Sequence, residues 1–194
     1  MYDHYKVIYL KEKLKNIAGI QTGLFARTVP QGDVGFLQAK HFDFNGLIIG
    51  DIHPELIRTE SMERHLLQPG DVLFAAKGTR NFATIYEIQN LPCVASTSFF
   101  LIRIRNNNIL PEYLAWYLNH PITLQLIKSQ AIGSSIVSIA KPVLEELEVL
   151  IPDSKTQNAV LEISRLRTKE KLLKKQIEDF RDQQIQYLTI KAIK

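Results

Sequence analysis

The sequence predicts an α+β protein: a β-rich N-terminal domain with short helices, followed by one long C-terminal helix that forms a coiled coil. Three observations predict it. Upstream of Pro152, short apolar runs are separated by turn residues, as strands require. Between the last two runs lies a stretch of helical periodicity that begins at Pro111. Downstream, from Lys155 to Ile190, glycine and proline are absent and Leu, Ile, Lys, Gln and Glu dominate. The boundary divides the chain into residues 1–152 and 153–194.

The expected strands are residues 35–39, 46–49, 71–76, 83–88, 98–104 and 147–151. Pro69-Gly70-Asp71 forms a tight turn that feeds Val72-Leu73-Phe74 into the core. The helix opening at Pro111 turns Leu114, Tyr117 and Leu118 inward and stops at Asn119-His120-Pro121. A second short helix, 121–130, is expected to bury Ile122 and Leu126 beside Ile127, and to stop before Gly133.

The last segment carries a heptad repeat. Its a positions are Ile163, Glu170, Ile177 and Gln184, and its d positions are Leu166, Leu173, Phe180 and Tyr187. A helix over residues 155–190 would be about 54 Å long at 1.5 Å per residue. That is too long to bury a seam within a small β domain. Ile163, Leu166, Leu173, Ile177, Phe180 and Tyr187 are therefore expected to face a partner helix; folding back along its own domain is the other arrangement open to it. Polar a positions fix register and partner choice at some cost in stability.

Composition bounds the function. Of 194 residues, 45% are hydrophobic and 23% charged, the balance of a globular protein. No apolar run is long enough to span a bilayer, and the first fifteen residues lack a signal-peptide core, so a cytoplasmic protein is expected. A single cysteine, Cys93, excludes an internal disulfide and a Cys-based zinc site, and the five histidines show no ligand spacing. The net charge is +4, but residues 152–194 hold ten Lys or Arg against six Asp or Glu, leaving 14 of each upstream. The N-terminal domain is thus neutral, and bulk charge does not by itself mark a polyanion partner.

Most catalytic signatures are absent. No adjacent prolines offer a methyltransferase loop, and neither a dinucleotide fingerprint, a phosphate-cradling P-loop nor a nucleophile elbow occurs, so no cofactor is expected. Asp33 followed by Gln38-Ala39-Lys40 could suggest a metal-dependent nuclease, in which an acid and a lysine-bearing triplet hold magnesium and polarise water. A turn followed by a half-buried strand accounts for the same residues. Gly133-Ser134-Ser135 lacks a positioned base, so Ser134 and Ser135 fit a phosphate-binding or helix-capping loop.

What remains are turns suited to nucleic acid. In Lys77-Gly78-Thr79-Arg80-Asn81, the glycine permits close approach of a ligand to the backbone. Arg80 can reach guanine and Asn81 adenine, while Lys77 and Thr79 can hold phosphates. Gln21-Thr22-Gly23 with Arg27 forms a second such loop, and Gln38-Ala39-Lys40-His41 a third. Arg103 and Arg105 read as ordinary strand-end charges.

The order of features resembles half of the DNA-specificity subunit of type I restriction–modification systems. Ile17 through Gly23 resembles the opening strand and glycine loop of its target recognition domain, and Phe36 through Phe42 the strand that follows. Leu67 through Ala75 is similar to the family's Gly-Asp-Ile-Leu strand. Leu110 through Leu114, then Gly133, Ile136 and Leu147 through Pro152, resemble its ending, and Gln157 stands where a conserved helix begins. A single Pro152 replaces the usual double proline, and Thr156-Gln157 replaces Glu-Gln. Most members carry two recognition domains and two helices; this chain has one of each.

The resemblance implies a non-catalytic subunit that reads one half of a bipartite site on double-stranded DNA. It implies as partners a DNA-methyltransferase (modification) subunit and a motor–nuclease subunit. The second half would come from homodimerisation through the helix or from another chain. Two alternatives stay open: the metal-dependent endonuclease above, and a coiled-coil regulator of a restriction–modification enzyme that does not touch DNA.

Overall fold

Strand β8 (Phe99–Ile104) is the axis of the fold. Its Phe-Phe-Leu-Ile run is buried throughout, as expected of a central strand covered on both faces. It pairs antiparallel with β2 (Ala18–Thr22) on one side and β5 (Val72–Ala75) on the other, and β6 (Ala83–Ile85) pairs with β5 to complete four strands. The computed structural model describes residues 10–43, 46–78, 80–88, 90–130 and 138–193.

A second sheet places β3 (Val34–Leu37) between antiparallel β4 (Pro54–Leu56) and parallel β7 (Cys93–Ala95). Proline is tolerated at Pro54 because it opens an edge strand, where its missing donor breaks no ladder. A two-stranded sheet joins β1 (Leu10–Lys13) to β9 (Glu148–Ile151), whose residues alternate exposed and buried. The main core cluster gathers Leu37, Phe42, Leu73, Phe82, Phe99 and Leu101. Within it, the rings of Phe42, Phe82 and Phe99 pack with centroids 5.4 to 6.0 Å apart, in tilted and edge geometries that aromatic quadrupoles favour. A smaller cluster gathers Val34, Phe36, Leu56, Met62 and Val94.

Five helices complete the described chain: α1 (Leu14–Ile17), α2 (Pro111–Asn119), α3 (Pro121–Ser129), α4 (Lys141–Glu145) and α5 (Ser154–Ala192). Pro111 opens α2, and Leu114 and Leu118 are buried as expected. Tyr117 is only half-buried, with its hydroxyl donating to Glu148 O, and Tyr113 takes the deeper place. Helix α3 departs from expectation: Thr123 and Ile127 face inward, while Ile122 and Leu126 are exposed. His120 is at once the C-cap of α2 and the N-cap of α3, so no linker is free to rotate the second helix.

Residues 46–49 form no strand. Phe42 and Ile48 make an isolated bridge, Gly46 has a φ of 79°, and Leu47 and Ile49 face solvent. Strand β3 ends at Leu37 because Gln38 and His41 cap a 3-10 turn, Ala39–His41. The chain divides into two compact units, Met1–Gln157 and Asn158–Lys194. The second unit is the greater part of α5, whose 39 residues start from a turn in which Asp153 accepts from Thr156 N and Thr156 Oγ1. Its seam residues Ile163, Leu166, Leu173, Ile177, Phe180 and Tyr187 are 47–68% exposed.

Candidate nucleic-acid interface

Topology gathers the three predicted loops. Strands β2 and β5 both run antiparallel to β8, so both end beside its start: Thr22 lies opposite Phe100, and Ala75 opposite Phe99. Strand β3 runs parallel to β7 and ends opposite Ala95, and Ser96 N donates to Leu37 O at 2.8 Å. Leu24 pairs with Ser96 from the other loop. The segments after β2, β3 and β5 therefore emerge at one end of the domain, around residues 95–99.

Gly23 makes this convergence possible. A Cβ there would lie 2.1 Å from Ser96 O and 2.5 Å from Ala95 O, so only glycine lets the chain pass. Gly78 is required for a different reason: its φ of 125° is left-handed backbone, with open space around it.

The predicted residues divide by role. Thr22, Arg27, Lys40 and Lys77 are exposed and available to a ligand. The Gln21 amide lies 2.8 Å from His65 Nδ1, which tethers the end of β2 and the segment after it to the 3-10 turn Glu60–His65. Arg80 donates to Asp43 O at 3.0 Å and stacks 5.8 Å from the Phe82 ring centre, joining the segments after β5 and β3. Asn81 is buried and donates to Ala75 O at 3.0 Å, so its amide braces the β5–β6 turn. His41 Nδ1 accepts from Gln38 N at 3.2 Å, and burial, then the charge of Lys40, hold its pKa below the usual value. Burial likewise lowers His65, followed by the charge of Arg64. Thr79, Ser134 and Ser135 lie outside the described residues.

Gln38 and Lys40 also line an open concavity of about 560 Å³ with Thr28, His53 and Glu55. Sequence reasoning missed these last three, because Glu55 lies on a strand only three residues long, without periodic signal, and Thr28 and His53 lie outside any strand or helix. The nuclease arrangement is not formed. Asp33 precedes β3 and accepts from Arg58 N at 2.7 Å, whereas Lys40 follows the strand's far end. Among the described residues, no three His, Cys, Asp or Glu come together as metal ligands would. No described helix is long and apolar enough to cross a membrane.

The other end of β8 is built for anchorage. Arg103 is not a free strand-end charge: Nε and Nη2 grip Asp71 Oδ1 and Oδ2 at 2.7 and 2.6 Å, and Nη2 reaches Leu66 O. Asp71 also accepts from Gln68 N, closing the turn before β5. The ion pair raises the Arg103 pKa above its ordinary value. Just beyond β8, Asn108 and Leu110 bond to Gln157, so the first turn of α5 is fastened here. The loops and this fastening thus occupy opposite ends of one strand.

A family model described as type I restriction modification DNA specificity domain matches residues 59–179, more than half of the chain. Among solved structures, the chain is similar to a type I restriction–modification system S subunit from M. genitalium, with 13% identity and a TM-score of 0.58 over 87% of this chain and 41% of that one. Similarity to the HsdS subunit from Thermoanaerobacter tengcongensis reaches 16% identity and a TM-score of 0.60, over 87% and 39% of the two chains. A chain from a structure described by complex assembly and conformational transition of the type I R-M system matches at 16% identity and a TM-score of 0.65, over 90% and 43%. The likeness is one of fold, and this chain spans about two fifths of the length of each. No curated protein sequence matches the chain.

Proposed function

Because the chain belongs to the family of type I restriction modification DNA specificity domains, we propose that it reads one half of a bipartite site on double-stranded DNA. Its own role is recognition, and methylation and cleavage fall to partner subunits. The observation that carries this reading is the placement of three base- and phosphate-suited loops at one end of β8, with the start of α5 fastened at the other.

In this reading Lys40, Lys77 and Arg27 hold phosphates and set register, while Gln21, Thr22, Arg80 and His41 face base edges. Asn81, bonded inward to Ala75 O, supports the loop from below. The exposed seam of α5, from Ile163 to Tyr187, pairs with a second specificity half, from another copy or another chain. That helix also docks a DNA-methyltransferase subunit, and a motor–nuclease subunit joins the assembly for cleavage. If two copies pair about a two-fold axis, the site is an inverted repeat with a spacer between its halves.

The neutral charge of residues 1–151 implies weak non-specific attraction to DNA, so recognition depends on the assembled particle. The test is selection from duplexes with a randomised centre, using the full chain with and without a modification subunit. Recovery of a defined half-site is expected. Binding without sequence preference in both cases would refute the proposal, and tight binding to the modification subunit with no DNA binding would favour a regulator instead.

A further inference from the structure

The segment after β2 holds an aromatic ring in solvent among the converging loops. Leu24 and Ala26 pack against the smaller core cluster, and Leu24 N donates to Ala95 O at 2.7 Å. Phe25, between them, is 78% exposed, and Arg27 is exposed as well. Burial alternates along residues 24–27 as in extended chain, which sets the ring and the guanidinium on one side. The following residue, Thr28, lines the concavity shared with Gln38 and Lys40. The span is tied again at Val29, whose N donates to Glu55 O at 2.7 Å. Both ends of this short span are therefore fixed.

Lone apolar side chains are common on protein surfaces. Phe25 differs because its neighbours Leu24 and Ala26 are packed, the backbone is tied at Leu24 and Val29, and the exposed guanidinium of Arg27 follows two residues on. Its donors match the hydrogen-bonding edges of base pairs. The apolar group that a base pair presents in the major groove is the C5 methyl of thymine.

We propose that Phe25 is a specificity-determining residue, its ring packing on a thymine methyl group within the half-site. The inference rests on the DNA-reading function proposed above. It adds an apolar contact to the base-edge contacts that Gln21 and Thr22 make in the proposed function.

The test uses a duplex recovered from the randomised pool by the wild-type full chain. Each thymine is replaced in turn by uracil, which removes only the methyl group, and affinities are measured for wild type and Phe25→Ala. One replacement is expected to weaken wild-type binding about fourfold, the effect of one methyl group's burial. Phe25→Ala should bind the thymine duplex more weakly yet no longer distinguish it from that uracil duplex, with its salt dependence unchanged. Ile57→Ala is the control: Ile57 is 62% exposed, next to Leu56 at the other end of β3, and its loss should leave discrimination intact. Wild-type discrimination in Phe25→Ala, its loss in Ile57→Ala, or the lack of any methyl-sensitive thymine would overturn the assignment while DNA reading stands. A wild-type chain that recovers no sequence, alone or with a modification subunit, would remove both.

Discussion

Gln157, on the first turn of α5, holds Leu110 at the foot of α2: its Oε1 accepts from Leu110 N at 2.9 Å, while its amide donates to Asn108 O and Pro152 O, both at 2.8 Å. One side chain, 1% exposed, satisfies three backbone groups. Gln157→Ala strands them, and unmade buried hydrogen bonds should cost about 2–4 kcal/mol in urea denaturation. Gln157→Glu should not rescue, since its carboxylate has no donors for the two carbonyls. A loss below about 0.5 kcal/mol, the level of a neutral surface change, would contradict this fastening.

Arg103→Met removes the partner of a buried aspartate. Asp71 keeps its bond from Gln68 N but loses both guanidinium contacts. Breaking a buried pair from one side costs roughly 3–5 kcal/mol, and the partial exposure of Arg103 reduces the expected loss to about 2–3 kcal/mol. Thermal and chemical unfolding should agree on the magnitude.

Gly23→Ala sets a methyl group into the Ala95–Ser96 backbone. Neither side can yield as a flexible side chain would, so a destabilisation of about 1–3 kcal/mol is expected. Gly78→Ala meets no such wall and suffers only its φ of 125°, so amide exchange should rise locally at residues 76–82 rather than at Ser96.

Glu146 ties α4 to β1 and α1 through Lys13 and Lys15, whose hydrogen bonds bring its pKa down to about 2. A carboxyl group lowered on folding contributes stability that is fully present above its ordinary value near 4.5 and fades as pH falls toward about 2. Amide protection factors in β1 and β9, corrected for the intrinsic pH dependence of exchange, should fall across that window. Glu146→Gln should show the lower protection already at neutral pH and lose the further fall in acid; an unchanged profile would contradict the link.

Lys40→Ala tests the phosphate role of the third loop. Loss of one phosphate contact should reduce the slope of log affinity against log salt by about 0.9. Leu173→Glu addresses the helix instead: sedimentation should show a smaller assembly, with the fold of residues 10–157 intact.

Several of these features were legible in the sequence and several were not. Phe99 to Ile102 and Val72 to Phe74 announced buried strands because continuous apolar runs need cover on both faces. The seam of α5 stood out because its length and heptads exceed what a small core can use. Strands β4 and β7 were invisible, since three residues carry no periodicity and β7 pairs in parallel with a strand nearly sixty residues upstream. Apolar composition at residues 46–49 suggested burial, but Gly46 turns the chain and leaves Leu47 in solvent. Each candidate loop could be named singly, yet their meeting depends on β2 and β5 flanking β8 in the same direction. The Arg103–Asp71 pair hid for the same reason, because 32 residues separate partners that only register brings together.

Strand β8 also sets how this protein can change. Its six residues span about 20 Å at 3.3 Å per residue. Substitutions in the segments near Ser96 are insulated by that distance from Asp71, Arg103 and Gln157, and mutational effects so far apart tend to add independently. In the proposed reading, the recognition segments at one end can therefore be revised while the fastening of the first turn of α5 at the other stays intact. On that reading, a new specificity demands no new assembly.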